Sequence, residues 1–377
     1  MSKTKMHELG DFGQSIWLDF ISRPLLETGK LAKLIDLGLR GMTSNPTIFN
    51  QAISQSQDYD SNISKLKESG KSTFEIYDEL TIRDIQQACD IFRPVYDSTR
   101  RLDGYVSLEI NPKIANDAAA SIKEGKRLFA KVARPNVMIK VPATAAGFPV
   151  IEELTASGVN VNVTLIFSLE QYSNTVKAYF KGLQRFARTN KDLSSIRSVA
   201  SVFVSRIDTL VDKLIDEAIA KDAGKKQVLE PLKGKAAVAN CRVVFEKFRE
   251  LFAGKEFQPL AKQGANEQRV LWGSTGTKNP NYSDIKYLTE LIARPTVNTV
   301  PEKTLEAFLD HGEVRDAMGW DVAKAHAVLE VLSESGIDIR KVCERLLSEG
   351  VVAFEKAFDE LMGSIEEKSR RLAVVKK

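Results

Sequence analysis

Short runs rich in β-branched residues alternate along the chain with longer stretches whose apolar residues recur every three or four positions. A period of two predicts strands and a period near 3.6 predicts amphipathic helices. Eight runs read as strands: Ser15–Phe20, Gly41–Ser44, Tyr105–Ile110, Val137–Pro142, Val161–Phe167, Val199–Val204, Arg269–Ser274 and Thr296–Val300. Strands separated by helices pair in parallel, so eight such units predict an α/β fold closed as a (β/α)8 TIM barrel. An open doubly wound sheet is the competing arrangement. No G-x-G-x-x-G loop follows the first strand, which weighs against a dinucleotide-binding version of it.

The helical stretches carry their own signals. Ser168–Gln184 has apolar residues three and four apart, with Ser168 as the N-cap ahead of Glu170. The stretch Asp208–Phe252 is long and broken at Glu230-Pro231-Leu-Lys-Gly234, which predicts two or more helices. It falls in a helical insertion at about 208–268, between the sixth and seventh strands. A charged helical extension occupies about 302–377, and its last segment, Glu366–Lys377, is expected to fray. Neither a solenoid repeat nor a low-complexity linker divides the chain, so residues 1–377 read as a single barrel domain with insertions.

Composition narrows the partners. The 377 residues are 43% hydrophobic, ample for a large core, and the formal charge is only +4. Without a dense Lys/Arg block, nucleic acid is not expected as a partner. Three scattered cysteines (Cys89, Cys241, Cys343) do not suggest a disulfide framework. The opening MSKTKMHELGDF has no apolar signal core, and no run is long enough for a membrane helix, so a cytoplasmic protein is expected. His7, His311 and His326 lack metal-site spacing, and Asp58-Tyr-Asp60 reads as a turn rather than a calcium loop. Neither a metal nor a cofactor is expected.

Strand alternation then sorts side chains by face. With Ile16, Leu18 and Phe20 facing the helices, Trp17 and Asp19 point inward. With Val106, Leu108 and Ile110 outward, Ser107 and Glu109 point inward. In the same way Lys140, Asn162, Thr164, Ser201 and Phe203 fall on the inner face of their strands. Taken singly, each of these polar residues reads as a snorkelling lysine, a capping carboxylate or an ordinary strand-end hydrogen bonder. Together, five strands send polar groups into one small space. Burying an unpaired charge costs several kcal/mol. Lys140 beside Asp19 and Glu109 is therefore expected to be compensated and to carry chemistry. These residues also lie toward the C-terminal ends of their strands, the catalytic face of such barrels.

That chemistry is imine formation. An amine attacks a carbonyl only when neutral, and burial between apolar strands favours the neutral form. The protonated imine is then an electron sink for C–C cleavage. A carboxylate must remove the proton from the hydroxyl that becomes a carbonyl, and Asp19 is the candidate. Water must also leave and re-enter at the carbinolamine, a task suited to Glu109 and Thr164.

The segments GMTSNPTIF (Gly41–Phe49), VSLEI (Val106–Ile110), VMIKVPAT (Val137–Thr144), GVNVNVTLIFS (Gly158–Ser168) and SVFVSRID (Ser201–Asp208) resemble the transaldolase family, in the family's order. The resemblance implies a class I aldolase-type barrel whose imine-forming lysine sits on the fourth strand, where the strand count independently places Lys140. It implies Asp19 as general acid and base, and Glu109 with Thr164 as the water-handling pair. It further implies that Asn45 and Asn162 bind substrate hydroxyls, that Ser201 orients a dihydroxyacetone unit, and that Arg206 holds a phosphate. Many members carry a Ser-x-Arg element after the seventh strand. Here the segment reads GSTGTKNPNY (Gly273–Tyr282), so Lys278 stands in for the arginine, with Ser274 or Thr275 supplying a hydroxyl. A lysine would hold phosphate as a point charge, without the guanidinium fork.

The activity so implied is reversible transfer of dihydroxyacetone from sedoheptulose 7-phosphate to glyceraldehyde 3-phosphate, in the non-oxidative pentose phosphate pathway. Small sugar phosphates would be the partners, with neither nucleic acid nor membrane, and the protein would be a monomer or homodimer. A fructose 6-phosphate aldolase on the same fold is the nearest alternative. That group tends to carry Gln in place of Glu109 and Tyr in place of Phe203, and both differences favour transfer. A catalytically silent sugar-phosphate-binding protein is the third reading, and joint retention of Lys140, Asp19, Glu109 and Thr164 opposes it.

Overall fold

Eight strands, Gln14–Asp19 (β1), Gly41–Thr43 (β2), Tyr105–Glu109 (β3), Val137–Pro142 (β4), Val161–Ile166 (β5), Ser198–Phe203 (β6), Arg269–Gly273 (β7) and Thr296–Val300 (β8), pair in that order. All pairs are parallel, and β8 closes onto β1. The structure is a computed structural model that describes residues 3–319 and 322–375. Helices fill the connections, and the fold is the (β/α)8 barrel expected from the alternation. Each strand ends within one residue of its expected boundary. Among the described residues no helix is long and apolar enough to cross a membrane.

The barrel interior is layered. At the N-terminal end, Arg269 donates to Ser15 Oγ, to the Leu102 carbonyl and to Asp103 Oδ1, each at 2.8 Å. Ser15 closes the network by donating to Asp103 Oδ2 at 2.8 Å. Above this plug lies an apolar layer of Trp17, Tyr105, Met138, Val199, Leu271 and Val297. Gly41 belongs to this level because a Cβ there would meet the Trp17 indole at 2.5 Å. The C-terminal layer is polar and holds the candidate site. The outward faces (Ile16, Leu18, Val106, Leu108, Val161, Val163 and their neighbours) join the main core with the surrounding helices.

Ser168 caps its helix, Leu169–Phe186, as expected, with Glu170 in the first turn, and Gln171 completes a capping box. The reason is geometric: the third helical residue reaches back to the cap, and the second does not. The Gln171 amide also donates to the carbonyls of Ala143 and Leu165, tying the ends of β4 and β5 together. One local expectation changes, at the C-terminus. The segment expected to fray is helical to Val375, as part of Ile339–Val375. Lys368 is buried and donates to Asp60 Oδ1 at 2.8 Å and to the Ser56 carbonyl, and Ser369 is buried beside it. Tertiary anchoring overrides the end effect; residues 376–377 lie outside the described residues. Between β6 and β7 the chain forms Ser205–Lys221 and Ala236–Ala253, with short helical turns around the predicted break at Pro231.

The Arg269–Asp103 pair is almost fully buried, at 8% and 6% side-chain exposure. Removing one partner strands the other charge. Arg269→Met is expected to destabilise the fold by about 3–5 kcal/mol, read as a lower urea midpoint, with Asp103→Asn in the same chain recovering part of it.

Candidate active site

The register of the barrel brings the inward polar residues together. Glu109 pairs with Lys140 across β3 and β4, Lys140 with Asn162 and Pro142 with Thr164 across β4 and β5, and Asp19 with Thr43 across β1 and β2. Strand alternation then turns Lys140, Glu109, Asn162, Thr164, Ser201, Asp19 and Thr43 into one space at the C-terminal mouth. The cavity there has a volume of about 150 Å³, and Asp19, Asn45, Lys140, Thr164, Phe203 and Arg206 line it.

Lys140 Nζ lies 3.6 Å from Glu109 Oε2, an ion pair too long for a direct hydrogen bond. The same nitrogen donates to the Ser44 carbonyl at 3.0 Å. Each side chain of the pair is 6% exposed. Burial pushes the Glu109 carboxyl up to about 6. The neighbouring Lys140 charge pulls it down and Asp19 pushes it up, and burial wins. A carboxyl near 6 can give or accept a proton at neutral pH, as general acid–base catalysis requires. Glu109 Oε2 and Thr164 Oγ1 are buried and have no hydrogen-bond partner in the protein, so both are free for a water or a ligand hydroxyl.

Thr164 is held where β5 bends. The β5–β6 register shifts between Val163 and Ile166, and Leu165 adopts φ 57°. A branched residue in that left-handed region costs about 1–3 kcal/mol, a strain that bulges beside sites commonly carry. Asp19 is oriented from its other side. Thr43 donates to Asp19 Oδ1 at 2.6 Å and shares a 2.8 Å hydroxyl contact with Thr299 of β8.

The remaining sequence candidates divide. Ser201 donates to Asn162 Oδ1 at 2.6 Å and Asn162 donates to Ser107 Oγ at 3.0 Å, so both sit in one buried chain of hydrogen bonds. Asn45 reaches the cavity, but its Oδ1 caps the Pro46–Ser54 helix by accepting from the Ile48 amide. The Thr275 hydroxyl donates to the Thr299 carbonyl at 2.7 Å, and Ser274 shares a 3.1 Å hydroxyl contact with Ser205. Arg206 is half-buried over the Phe203 ring, 5.4 Å from its centroid, and burial holds its pKa below the usual arginine value. Among the described residues, no carboxylate lies within salt-bridge distance of Arg206 or of Lys278. Both cations line the cavity, Arg206 half-buried and Lys278 exposed at its rim.

The Lys278 segment is stapled to the inserted helices. Tyr282 donates to Asp212 Oδ2 at 2.6 Å, and Tyr287 donates to Asp208 Oδ2 at 2.8 Å. The other oxygens of those two carboxylates accept the backbone N–H groups of Gly234 and Ala237. One helix, Ser205–Lys221, therefore carries Arg206 at its start and fixes the Lys278 segment through its acids.

Sequence reasoning missed Thr43, Thr299, the Ser44 carbonyl and Phe354. Alternation could have found the threonines, since Thr43 and Thr299 share the inward face with Gly41 and Val297. Phe354 comes from the C-terminal helix, and its ring centroid lies 6.0 Å from Lys140 Nζ. No local pattern separates it from an ordinary core residue of an amphipathic helix.

Fold and site together define a class: a (β/α)8 enzyme with a buried lysine–carboxylate pair at its C-terminal mouth. The family model for transaldolase/fructose-6-phosphate aldolase matches residues 16–365, and the chain belongs to that family. It is 43% identical to transaldolase 2 of a Nostoc species, with both chains covered in full. It is 44% identical to a transaldolase of Trichodesmium erythraeum and 45% identical to transaldolase 2 of Streptomyces coelicolor, each over 98% of both chains.

The balance on Glu109 can be measured directly. In Lys140→Met the attraction that lowers the carboxyl is gone while burial remains, so Glu109 should titrate above about 6. The pH dependence of its 13C carboxyl resonance reads this, and a midpoint unchanged from the parent contradicts the assignment of causes.

Proposed function

We propose that this protein is a transaldolase that moves a dihydroxyacetone unit from sedoheptulose 7-phosphate to glyceraldehyde 3-phosphate, through an imine on Lys140. The observation that carries the reading is the Lys140–Glu109 pair, buried at the barrel mouth beside Asp19 and the free Thr164 hydroxyl. Full-length similarity to proteins named transaldolase supports the same reading.

Neutral Lys140 adds to the ketose carbonyl and gives a carbinolamine. Glu109 and Thr164 assist loss of water, leaving the protonated imine. Asp19 takes the proton from the C4 hydroxyl. The C3–C4 bond breaks, its electrons pass into the imine to form an enamine, and erythrose 4-phosphate leaves. The enamine then attacks glyceraldehyde 3-phosphate, Asp19 returns the proton to the new alkoxide, and hydration releases fructose 6-phosphate. Asn45, Asn162 and Ser201 would orient the donor. Arg206, Lys278 and the Ser274 hydroxyl would hold the phosphate, with Thr275 shaping that loop from beneath. The reading carries with it a cytoplasmic enzyme of the non-oxidative pentose phosphate pathway, acting as a monomer or homodimer on small sugar phosphates.

Borohydride reduction in the presence of fructose 6-phosphate should leave a dihydroxyacetone adduct on the peptide containing Lys140. An unmodified Lys140 peptide in active protein rules out this mechanism. Lys278→Ala should raise KM for phosphorylated donors by about tenfold with a smaller change in kcat, the loss expected of one charge-assisted contact near solvent. A KM equal to that of the parent removes Lys278 from the phosphate site.

A further inference from the structure

The C-terminal helix Ile339–Val375 has 37 residues. It is about 55 Å long at 1.5 Å per residue, enough to span a barrel mouth. Its lower face buries Leu346, Phe354, Phe358, Leu361 and Ile365, spaced for one side of a helix. Gly350 sets how closely it lies: a Cβ there would meet Leu165 at 3.0 Å and Arg206 at 3.6 Å. Farther along, Phe358 packs edge-on against Tyr77 with centroids 5.2 Å apart, Lys113 pairs with Asp359 at 2.7 Å, and Ser364 donates to Asn50 at 2.9 Å. Lys368 pins the last turns to Asp60. The helix thus runs from the ends of β5 and β6 to the helices that follow β2 and β3, and Phe354 is the side chain it sets into the cavity.

We propose that Phe354 shields the Lys140 adduct from water and so determines how much of the bound three-carbon unit is transferred rather than released. The proposal rests on the imine mechanism. After the first aldehyde leaves, the unit remains as an enamine. Release requires Asp19 to return its proton to the enamine carbon, which gives the protonated imine. Water then adds at the imine carbon, its surplus proton passing to Glu109, and the carbinolamine collapses to free dihydroxyacetone and the Lys140 amine. Transfer requires that this hydration be slower than capture of the second aldehyde. The cavity volume of about 150 Å³ lies below the usual range for ligand sites, about 300–1,000 Å³, and leaves little room for solvent beside a bound three-carbon unit. Phe354 is 7% exposed, and its ring lines the cavity with its centroid 6.0 Å from Nζ. An aromatic face there offers a water no hydrogen bond comparable to that of a polar side chain, while it attracts the cationic imine.

The test measures two rates with fructose 6-phosphate as donor: dihydroxyacetone release without acceptor, and transfer to erythrose 4-phosphate. The ratio of release to transfer is expected to rise about tenfold in Phe354→Ala and to stay within about twofold of the parent in Phe354→Tyr, which keeps the ring. Phe354→Leu, a milder change in helix packing, should fall between them and serves if the alanine variant does not fold. An unchanged ratio in a folded Ala or Leu variant overturns the proposal, as does an equal fall in both rates, the mark of a merely structural role. Borohydride trapping on the parent separates the two levels. No adduct on Lys140 overturns the imine mechanism itself, whereas an adduct with an unchanged ratio overturns only the part given to Phe354.

Discussion

Lys140 and Glu109 face each other 3.6 Å apart with almost no solvent access. Two charges in such a place need partners, and much of the mouth supplies them. The Ser44 carbonyl takes a proton donor of Lys140, whereas the like charge of Asp19 opposes ionisation of Glu109 and raises it. Full compensation would make the pair inert. Hydrogen bonding is incomplete at two atoms, Glu109 Oε2, whose ion-pair partner stands 3.6 Å away, and Thr164 Oγ1. A buried polar group left without a partner carries a desolvation cost of about 1–3 kcal/mol, and a ligand that satisfies it recovers that cost. The unfinished network is what makes the site receptive.

Holding such a network requires a stiff frame. Below it, the barrel is filled by aromatic and aliphatic side chains and closed by the buried Arg269–Asp103 pair. Around the mouth, elements distant in sequence act as braces. The helices between β6 and β7 fix the Lys278 segment through Asp208 and Asp212, which gives the insertion a mechanical part in the site. Burial raises the Asp208 carboxyl to about 6, with two hydrogen bonds opposing the rise. The C-terminal helix braces the other side and packs Gly350 against the strained Leu165 of β5.

The strand order, the inward set of side chains and the lysine–carboxylate centre were all legible from the sequence alone, and so was the helical character of the insertion and tail. Strand periodicity is local: a residue's face follows from its neighbours two positions away. Hence the sequence pattern alone assigns Lys140, Glu109, Asp19, Asn162, Thr164 and Ser201 to one interior. What each one touches depended on barrel closure and register. Thr43 meets Thr299 across 256 residues of sequence, and Lys140 finds the Ser44 carbonyl, a backbone atom that no side-chain pattern reveals. Phe354 shows the boundary most sharply. Its spacing marks it as one apolar residue on a helix face, and only the path of that helix across the mouth turns it toward Lys140. Local patterns determine which way a side chain points; packing of distant segments determines what it meets.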